Sequence, residues 1–259
     1  MAPRSVWKGT VGFGMVTIPV KLYGAVEEKT VRFNTLHREC GTRIQMPRFC
    51  PNCEKRLEQA EMVKGYPVGD DKFVVLEEQD FASLPVKSLK AIEVMEFVDA
   101  SEVDPRHYDK PYFMAPDLAG GKAFALLLRG MEHVGRVAVA KLSMREREHL
   151  CTIRPYGNVL LLQTLHWADE LRDAGEVEAD LPQVTEQETS LAVALIQALE
   201  GEVNLSAYSD EYREAVTRLI EAKLNGEVIE AAPVEEAKPT EDVMAGLMAS
   251  IEAVQAAKA

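Results

Sequence analysis

The sequence predicts an α+β protein in which strands come first and helices follow. Three observations predict it: apolar residues alternate with period two in short runs up to about residue 165, the period changes to 3.6 after Asp169, and turn residues separate the runs. At 259 residues, 47% hydrophobic and 27% charged, the chain can fill one large domain or two small ones and bury a full core, so global disorder is excluded. No apolar run approaches the ~18 residues of a bilayer span. The opening Met1-Ala2-Pro3-Arg4 has no apolar signal region, so neither insertion nor export is expected and a cytoplasmic location is.

Val11, Phe13 and Met15 alternate, and the phase then shifts to Val16, Ile18, Val20 and Leu22, which predicts one long strand with a bulge near Met15. Pro19 lacks a ladder donor and suits an edge or a bulge. Short strands are expected at 73–76, 91–98 and 111–114. Runs at 137–144, 149–153 and 159–165 read as a three-stranded meander, with turns at 145–148 and at Pro155-Tyr156-Gly157-Asn158. A helix over 122–133, closed by Gly135, interrupts the strands.

In the last third, Thr185 and Glu188 form a capping box, Leu191, Ala194, Leu195, Ala198 and Leu199 form a stripe, and Gly201 ends the helix. A second helix starts near Asp210 with Tyr212, Val216, Leu219 and Ile220 inward, and ends at Asn225-Gly226. Residues 229–239, rich in Glu, Ala and Pro, read as a linker. Thr240 then caps a last helix with Met244, Leu247, Met248, Ile251 and Val254 on one face. The expected organisation is therefore a strand-rich core over 1–175, a helical arm over 176–228, the linker, and a terminal helix over 240–259.

The net charge of -13 hides a division along the chain. Residues 1–175 hold 24 basic and 24 acidic side chains, whereas 176–259 hold 5 and 18. Residues 1–60 hold 10 basic against 5 acidic side chains, and 122–154 hold 7 against 3, so two segments are locally cationic.

The sharpest chemical signal is His37-x2-Cys40-x9-Cys50-x2-Cys53. Two ligands two residues apart can grip one ion from a tight knuckle, and two knuckles complete a tetrahedron of thiolates and imidazole. Such a closed set predicts a structural zinc ion held by His37, Cys40, Cys50 and Cys53. The fourth cysteine, Cys151, belongs to the core by this reading. The bland alternative is a set of unrelated buried thiols.

Enzyme signatures fail. Gly120-Gly121-Lys122 is followed by Ala123, Gly12-Phe13-Gly14 lacks a third glycine, no Gly-x-Ser-x-Gly occurs, and His107, His133, His149 and His166 are scattered. A binding protein rather than an enzyme is expected. Arg145 and Arg147 sit in a predicted hairpin turn with Lys141 and Arg154 on its flanking strands, and Arg32, Arg38, Arg43, Arg48, Lys55 and Arg56 surround the knuckles. Guanidinium and ammonium groups on the loops of a β scaffold suit phosphate contact without sequence reading. Lys8 and Lys21 complete this candidate DNA-contact set.

Several segments together resemble one family. Ser5-Val6-Trp7-Lys8-Gly9, the run from Gly12-Phe13-Gly14 to Lys21-Leu22-Tyr23, Val63-Lys64-Gly65-Tyr66, Asp104-Pro105, Tyr112-Phe113-Met114-Ala115-Pro116-Asp117, Arg154-Pro155-Tyr156-Gly157 and Glu241-Asp242-Val243 are similar to the bacterial Ku proteins of DNA non-homologous end joining. The resemblance spans essentially the whole chain. It implies a Ku-type core β-barrel with a helical C-terminal arm, a homodimeric ring around double-stranded DNA ends, a nucleoid-associated location, and an ATP-dependent end-joining ligase (ligase D) as partner. The apolar face at 244–254 is the expected ligase-docking element. Many members end in a Lys-rich tail, whereas this sequence is acidic at its end. A zinc-stabilised protein adaptor that never meets DNA is the competing reading.

Overall fold

A computed structural model describes residues 3–69, 72–82, 90–118, 120–144, 147–177, 179–226 and 242–258. The chain opens with β1 (Trp7–Phe13) and β2 (Val16–Gly24). Two small sheets follow, β3 (Phe49–Cys50) with β4 (Lys55–Arg56), and β5 (Lys64–Pro67) with β6 (Phe73–Leu76), then a short helix α1 (Glu78–Ala82). After β7 (Ala91–Val98) and β8 (Tyr108–Pro116) come helix α2 (Gly121–Val134) and the meander β9 (Val137–Met144), β10 (Arg147–Tyr156) and β11 (Val159–Leu165). Helices α3 (Glu186–Leu199), α4 (Glu211–Leu224) and α5 (Val243–Lys258) end the chain. Two compact units divide after Asp173; residues 30–32 group with the helical unit.

The first unit is a closed barrel in the order β1-β2-β8-β11-β10-β9-β7, sealed by a short parallel pairing of β1 with β7. The expected single long strand is instead a hairpin. Phe13 pairs with Val16, Gly14 takes a left-handed φ of 57°, and Met15 points fully into solvent, so the phase slip in the sequence marks a chain reversal and not a bulge. Pro19 is not on an edge strand. It lies one residue outside the β2–β8 ladder, which begins at Val20↔Pro116, and there its missing N–H costs nothing while its carbonyl accepts from Asp117 N at 2.9 Å.

Inside the barrel, Val11, Ile18, Val20, Leu22, Ile92, Met114, Ala140, Leu142, Cys151, Ile153, Leu160 and Leu162 are fully buried or within 1% of it. Helix α2 contributes Phe124, Leu127, Leu128 and Met131 to the same core, and it touches β2 and β10, strands that are not neighbours in the barrel. Gly135, with φ 63° and its N–H on Met131 O, ends the helix as expected. Trp7 lays its indole over Gly9 and donates from Nε1 to Ser143 O at 3.2 Å, tying β1 to β9 across the interior.

Asp104-Pro105 opens a 3-10 turn: Asp104 accepts from Arg106 N and forms a two-point pair with the Arg106 guanidinium. Hydrogen bonding from Arg106 holds the Asp104 carboxyl down at about 2. His166 N then donates to His107 O at 2.7 Å, which fastens this turn to the end of β11.

In the helical unit, Thr185 and Glu188 form the expected capping box and Asp210 caps α4 through Arg213 N. The cap of α5 is Asp242, which accepts from Ala245 N at 3.0 Å; Thr240 and the linker 229–239 lie outside the described residues. Helix α5 packs against α3, and the half-buried apolar side chains among the described residues are Leu191, Ala192, Leu195 and Ala198 on α3 with Met244, Leu247, Ile251 and Val254 on α5. Ala194 and Leu199, expected in the α3 stripe, face solvent. In α4 only Val216 and Ala222 are buried, whereas Tyr212, Leu219 and Ile220, expected inward, are exposed. A helix docked along one narrow strip leaves the rest of its apolar residues uncovered within a single chain.

A Cβ on Gly9 would lie 2.3 Å from Lys90 O and 2.3 Å from the Trp7 ring, whereas one on Gly12 meets nothing closer than 3.7 Å. Gly9→Ala should therefore destabilise the fold by about 1–3 kcal/mol through overpacking, and Gly12→Ala should change stability by less than about 1 kcal/mol, as read by urea unfolding. Burial pushes the Cys151 thiol up to about 12, and its Sγ donates to Ala140 O at 3.3 Å. With Cys40, Cys50 and Cys53 near the surface, thiol titration of native, chelator-treated protein at pH 8 should count three reactive cysteines, and the fourth only after denaturant is added.

Candidate nucleic-acid interface and cysteine knuckles

Because side chains alternate along each strand, the buried set of the barrel fixes which residues point outward. Lys8, Lys21, Tyr23, Phe113, Ala115, Lys141, Arg154 and Tyr156 all fall on the outward phase of their strands. Lys8 and Lys21 stand directly opposite each other in the β1–β2 ladder, a like-charge pairing that needs compensation. Asp117 supplies it at 2.5 Å from Lys21 Nζ. The Lys21 hydrogen bond, with a second from Leu118 N, holds the Asp117 carboxyl below its ordinary range, and Asp117 in turn raises the Lys21 ammonium. Lys8 remains exposed beside this pair.

Tyr23 pairs in register with Phe113, and Phe113 packs on Tyr156 with ring centroids 5.7 Å apart. These rings line an open groove of about 510 Å³ with Pro3, Ala115, Gly157 and Val159. The Arg154 guanidinium lies over the Tyr156 ring at 5.8 Å, a cation–π placement that holds it at the groove margin. Sequence reasoning missed this aromatic row. Its signal was present in the phase: Tyr23 follows inward Leu22, and Phe113 precedes inward Met114.

The expected meander patch of Lys141, Arg145, Arg147 and Arg154 is only partly assembled. Lys141 lies opposite Leu150, four residues from Arg154 along β10, or roughly 13 Å at strand rise. Its ammonium is 3.2 Å from Glu148 and 6.0 Å from the centre of the Trp167 ring. Arg147 follows the inward phase of Cys151 and Ile153 and emerges at the barrel end, off the outer face. Arg145 lies outside the described residues.

Between β2 and β7 the chain forms small hairpins on the surface. Arg38, Arg43, Arg48 and Lys55 are exposed there as expected, with Arg48 donating to Gln59 and Lys55 paired to Glu61 at 2.7 Å. Arg32 does not join them and groups with the helical unit. In the β5–β6 hairpin the Phe73 ring covers Gly65, which explains the small residue in Val63-Lys64-Gly65-Tyr66: a Cβ there would meet Phe73 at 3.2 Å.

The four expected metal ligands are brought together as two pairs. His37 Nδ1 is 3.1 Å from Cys40 Sγ, and Cys50 and Cys53 hydrogen-bond to each other. Among the described residues no three histidine, cysteine or acidic side chains gather where an ion could be held, so the full tetrad is not assembled. Hydrogen bonding from Thr42 and then His37 holds the Cys40 thiol down at about 7. Cys50 is lowered by the Cys53 backbone and side chain, and Cys53 is correspondingly raised by Cys50, so the two thiols titrate as a pair.

A family model described as the Ku70/Ku80 beta-barrel domain matches residues 12–191. A protein of Symbiobacterium thermophilum named non-homologous end joining protein Ku is 40% identical over 261 residues; the alignment covers 100% of this chain but 65% of that protein. The protein of the same name from Archaeoglobus fulgidus is 39% identical over 97% of this chain and 100% of its own length, and that of Bacillus subtilis is 35% identical over 96% and 82%. With a closed barrel carrying the matched segment and this similarity along its length, the chain belongs to the Ku family.

Proposed function

We propose that this chain binds the ends of double-stranded DNA without sequence preference, as a homodimeric ring, in double-strand break repair. The observation that carries the reading is the outer face of the barrel, where Lys8, Lys21 and Arg154 flank an aromatic groove and Lys141 lies further along β10. Cationic groups on a rigid sheet meet phosphates at fixed positions and read no bases, which suits broken ends of arbitrary sequence. The printed name of the relatives, non-homologous end joining protein, supports the same reading. Binding by phosphate attraction alone would hold duplex anywhere, so topology supplies the end preference: a closed ring loads only where the duplex terminates. The acidic helical third discourages DNA from binding outside the ring.

Dimerisation is supported by apolar surface that a single chain leaves uncovered. Leu181, Val184, Val203, Leu205, Tyr208, Tyr212 and Leu224 are each more than 70% exposed in the helical unit, far more than isolated surface hydrophobics warrant. A second copy, contributing on the order of 2,000 Å² of interface, is the partner we assign to it. The ligase of end joining is the further partner. The apolar face of α5 is half-buried against α3, so ligase contact falls to the one residue of the expected face that stays exposed, Met248.

In competition binding, linear duplex should outcompete closed circular duplex of equal length; equal competition would remove the ring, and no binding of either would favour the adaptor. Substituting Lys8, Lys141 and Arg154 together with Ala should lower the slope of log affinity against log salt by about three units, uniformly across sequences. An unchanged slope would place the DNA on another face. Met248→Glu should leave the dimer mass seen by light scattering and the DNA affinity unchanged while lowering ligase stimulation several-fold; full stimulation would show that the ligase docks elsewhere.

A further inference from the structure

We propose that the aromatic groove on the outer face of the barrel takes the unpaired nucleotides of a single-stranded DNA overhang, a role that rests on the assignment of DNA to this face and adds a ligand that duplex does not supply. Bases stack on Tyr23, Phe113 and Tyr156, and the cations at the groove ends hold the phosphates.

Register composes the groove. Two rows of outward side chains cross the sheet next to each other. One passes through Tyr23, Phe113, Leu161 and Arg154 by successive pairings of β2, β8, β11 and β10. The other begins with Lys8, Lys21 and Ala115 and ends with Val159 and Tyr156. Rings therefore stand at the walls, while the smaller Ala115 and Val159 form the floor between them. The open space of about 510 Å³ lies within the ~300–1,000 Å³ range of small-ligand sites.

The rings are held in place without being covered. Tyr156 enters the two-residue turn Gly157-Asn158, where Gly157 has φ 57°, and it stays 54% exposed. Phe113 meets it with ring planes inclined by 34°, and Tyr23 and Phe113 are only half-buried. Rings left open together on a rigid sheet mark a binding site. Duplex has no use for them, because its base faces are covered by their neighbours and it presents phosphates and base edges to a protein. Unpaired bases have free faces. Stacking on aromatic rings accepts any base, as ends of arbitrary sequence require.

Charge favours the same ligand over an apolar peptide. Lys21 stands beside Ala115 on β2, and Arg154 lies over Tyr156 on β10. These cations are three strands apart, about 14 Å at ~4.8 Å per strand. Arg4 is exposed next to Pro3, which lines the groove. Arg154 rests on a ring rather than on a carboxylate, so its charge is open to a phosphate. An apolar peptide would leave these groups unanswered, whereas a single strand crossing the groove sets phosphates at its ends and bases between them.

The test is competition among three ligands on the full chain at one salt concentration. All share one duplex: the first is blunt, the second carries a tail of about six unpaired thymidines, and the third carries an equal tail of stable abasic residues, with the same phosphates and no bases. The thymidine tail should outcompete the abasic tail by more than about fivefold. With 5-iodouracil in the tail, irradiation should cross-link it to a peptide containing Tyr23, Phe113 or Tyr156. Phe113→Ala removes a ring and Ala115→Leu fills the floor, and each should bring the ratio of the two tails to about one. Tyr156→Phe keeps the ring and should keep the ratio, and melting temperatures screen all three variants for misfolding. Equal binding of the two tails beside tight binding of the blunt duplex, or cross-linking to other peptides, would overturn the overhang site and leave the DNA face standing. Binding of none of the three would overturn both. A wild-type ratio in Ala115→Leu together with lost ligase stimulation would give the groove to an apolar peptide and overturn the overhang site as well.

Discussion

Closure of the barrel through the short parallel pairing of β1 with β7 is the constraint on which the rest depends. Closure removes the sheet edges and commits every strand to one inward and one outward set of side chains. The inward set is largely apolar, with Trp7, Leu142 and Ile153 among its members, and α2 adds a further apolar face. Part of the outward set, on β1, β2 and β8 and at the end of β10, is thereby released from packing, whereas Thr152 and Leu161 on the outward phase of β10 and β11 are buried. It can carry Lys8, Lys21, Arg154 and three aromatic rings at no cost to the core, so a single register decision both stabilises the fold and composes the surface that we assign to DNA.

Closure also dictates what the chain does between β2 and β7. Those strands are consecutive around the barrel only through β1, and the 66 residues between Gly24 and Ala91 must leave the sheet and return. They do so as small hairpins without buried residues over 33–69. Local devices replace a core there: Phe73 over Gly65, Lys55 on Glu61, and two cysteine knuckles. The helical unit is in a similar position, with well-capped helices and much uncovered apolar surface. Both segments therefore leave apolar side chains uncovered within the single chain.

Electrostatics on the outer face is a matter of partial pairing. Lys21 is neutralised by Asp117 and Lys141 by Glu148, whereas Arg154 rests on an aromatic ring. Exposed pairs of this kind contribute little to stability, so exchanging a carboxylate for a phosphate is inexpensive. A surface of loosely held cations suits binding that must tolerate any sequence and still release it.

Much of this was legible in the sequence. Period-two alternation located β6, β7, β9 and β11, Gly135 ended α2, and the Thr185–Glu188 box and Asp210 started α3 and α4, because each is a local rule acting over a few residues. The charge division and the two cysteine knuckles were equally local. What the sequence could not decide was which elements meet. The slip at Met15 is compatible with a bulge or a hairpin, and only pairing of Phe13 with Val16 chose. Arg147 and Arg154 look alike in a basic run, but barrel closure puts odd and even positions of β10 on opposite faces and separates them. The apolar stripes of α3 and α5 were visible one at a time, and their mutual packing required the fold. Local conformation follows from backbone sterics and hydrogen bonds between near neighbours; faces, partners and patches follow from contacts between residues far apart in sequence, and these exist only once the barrel has closed.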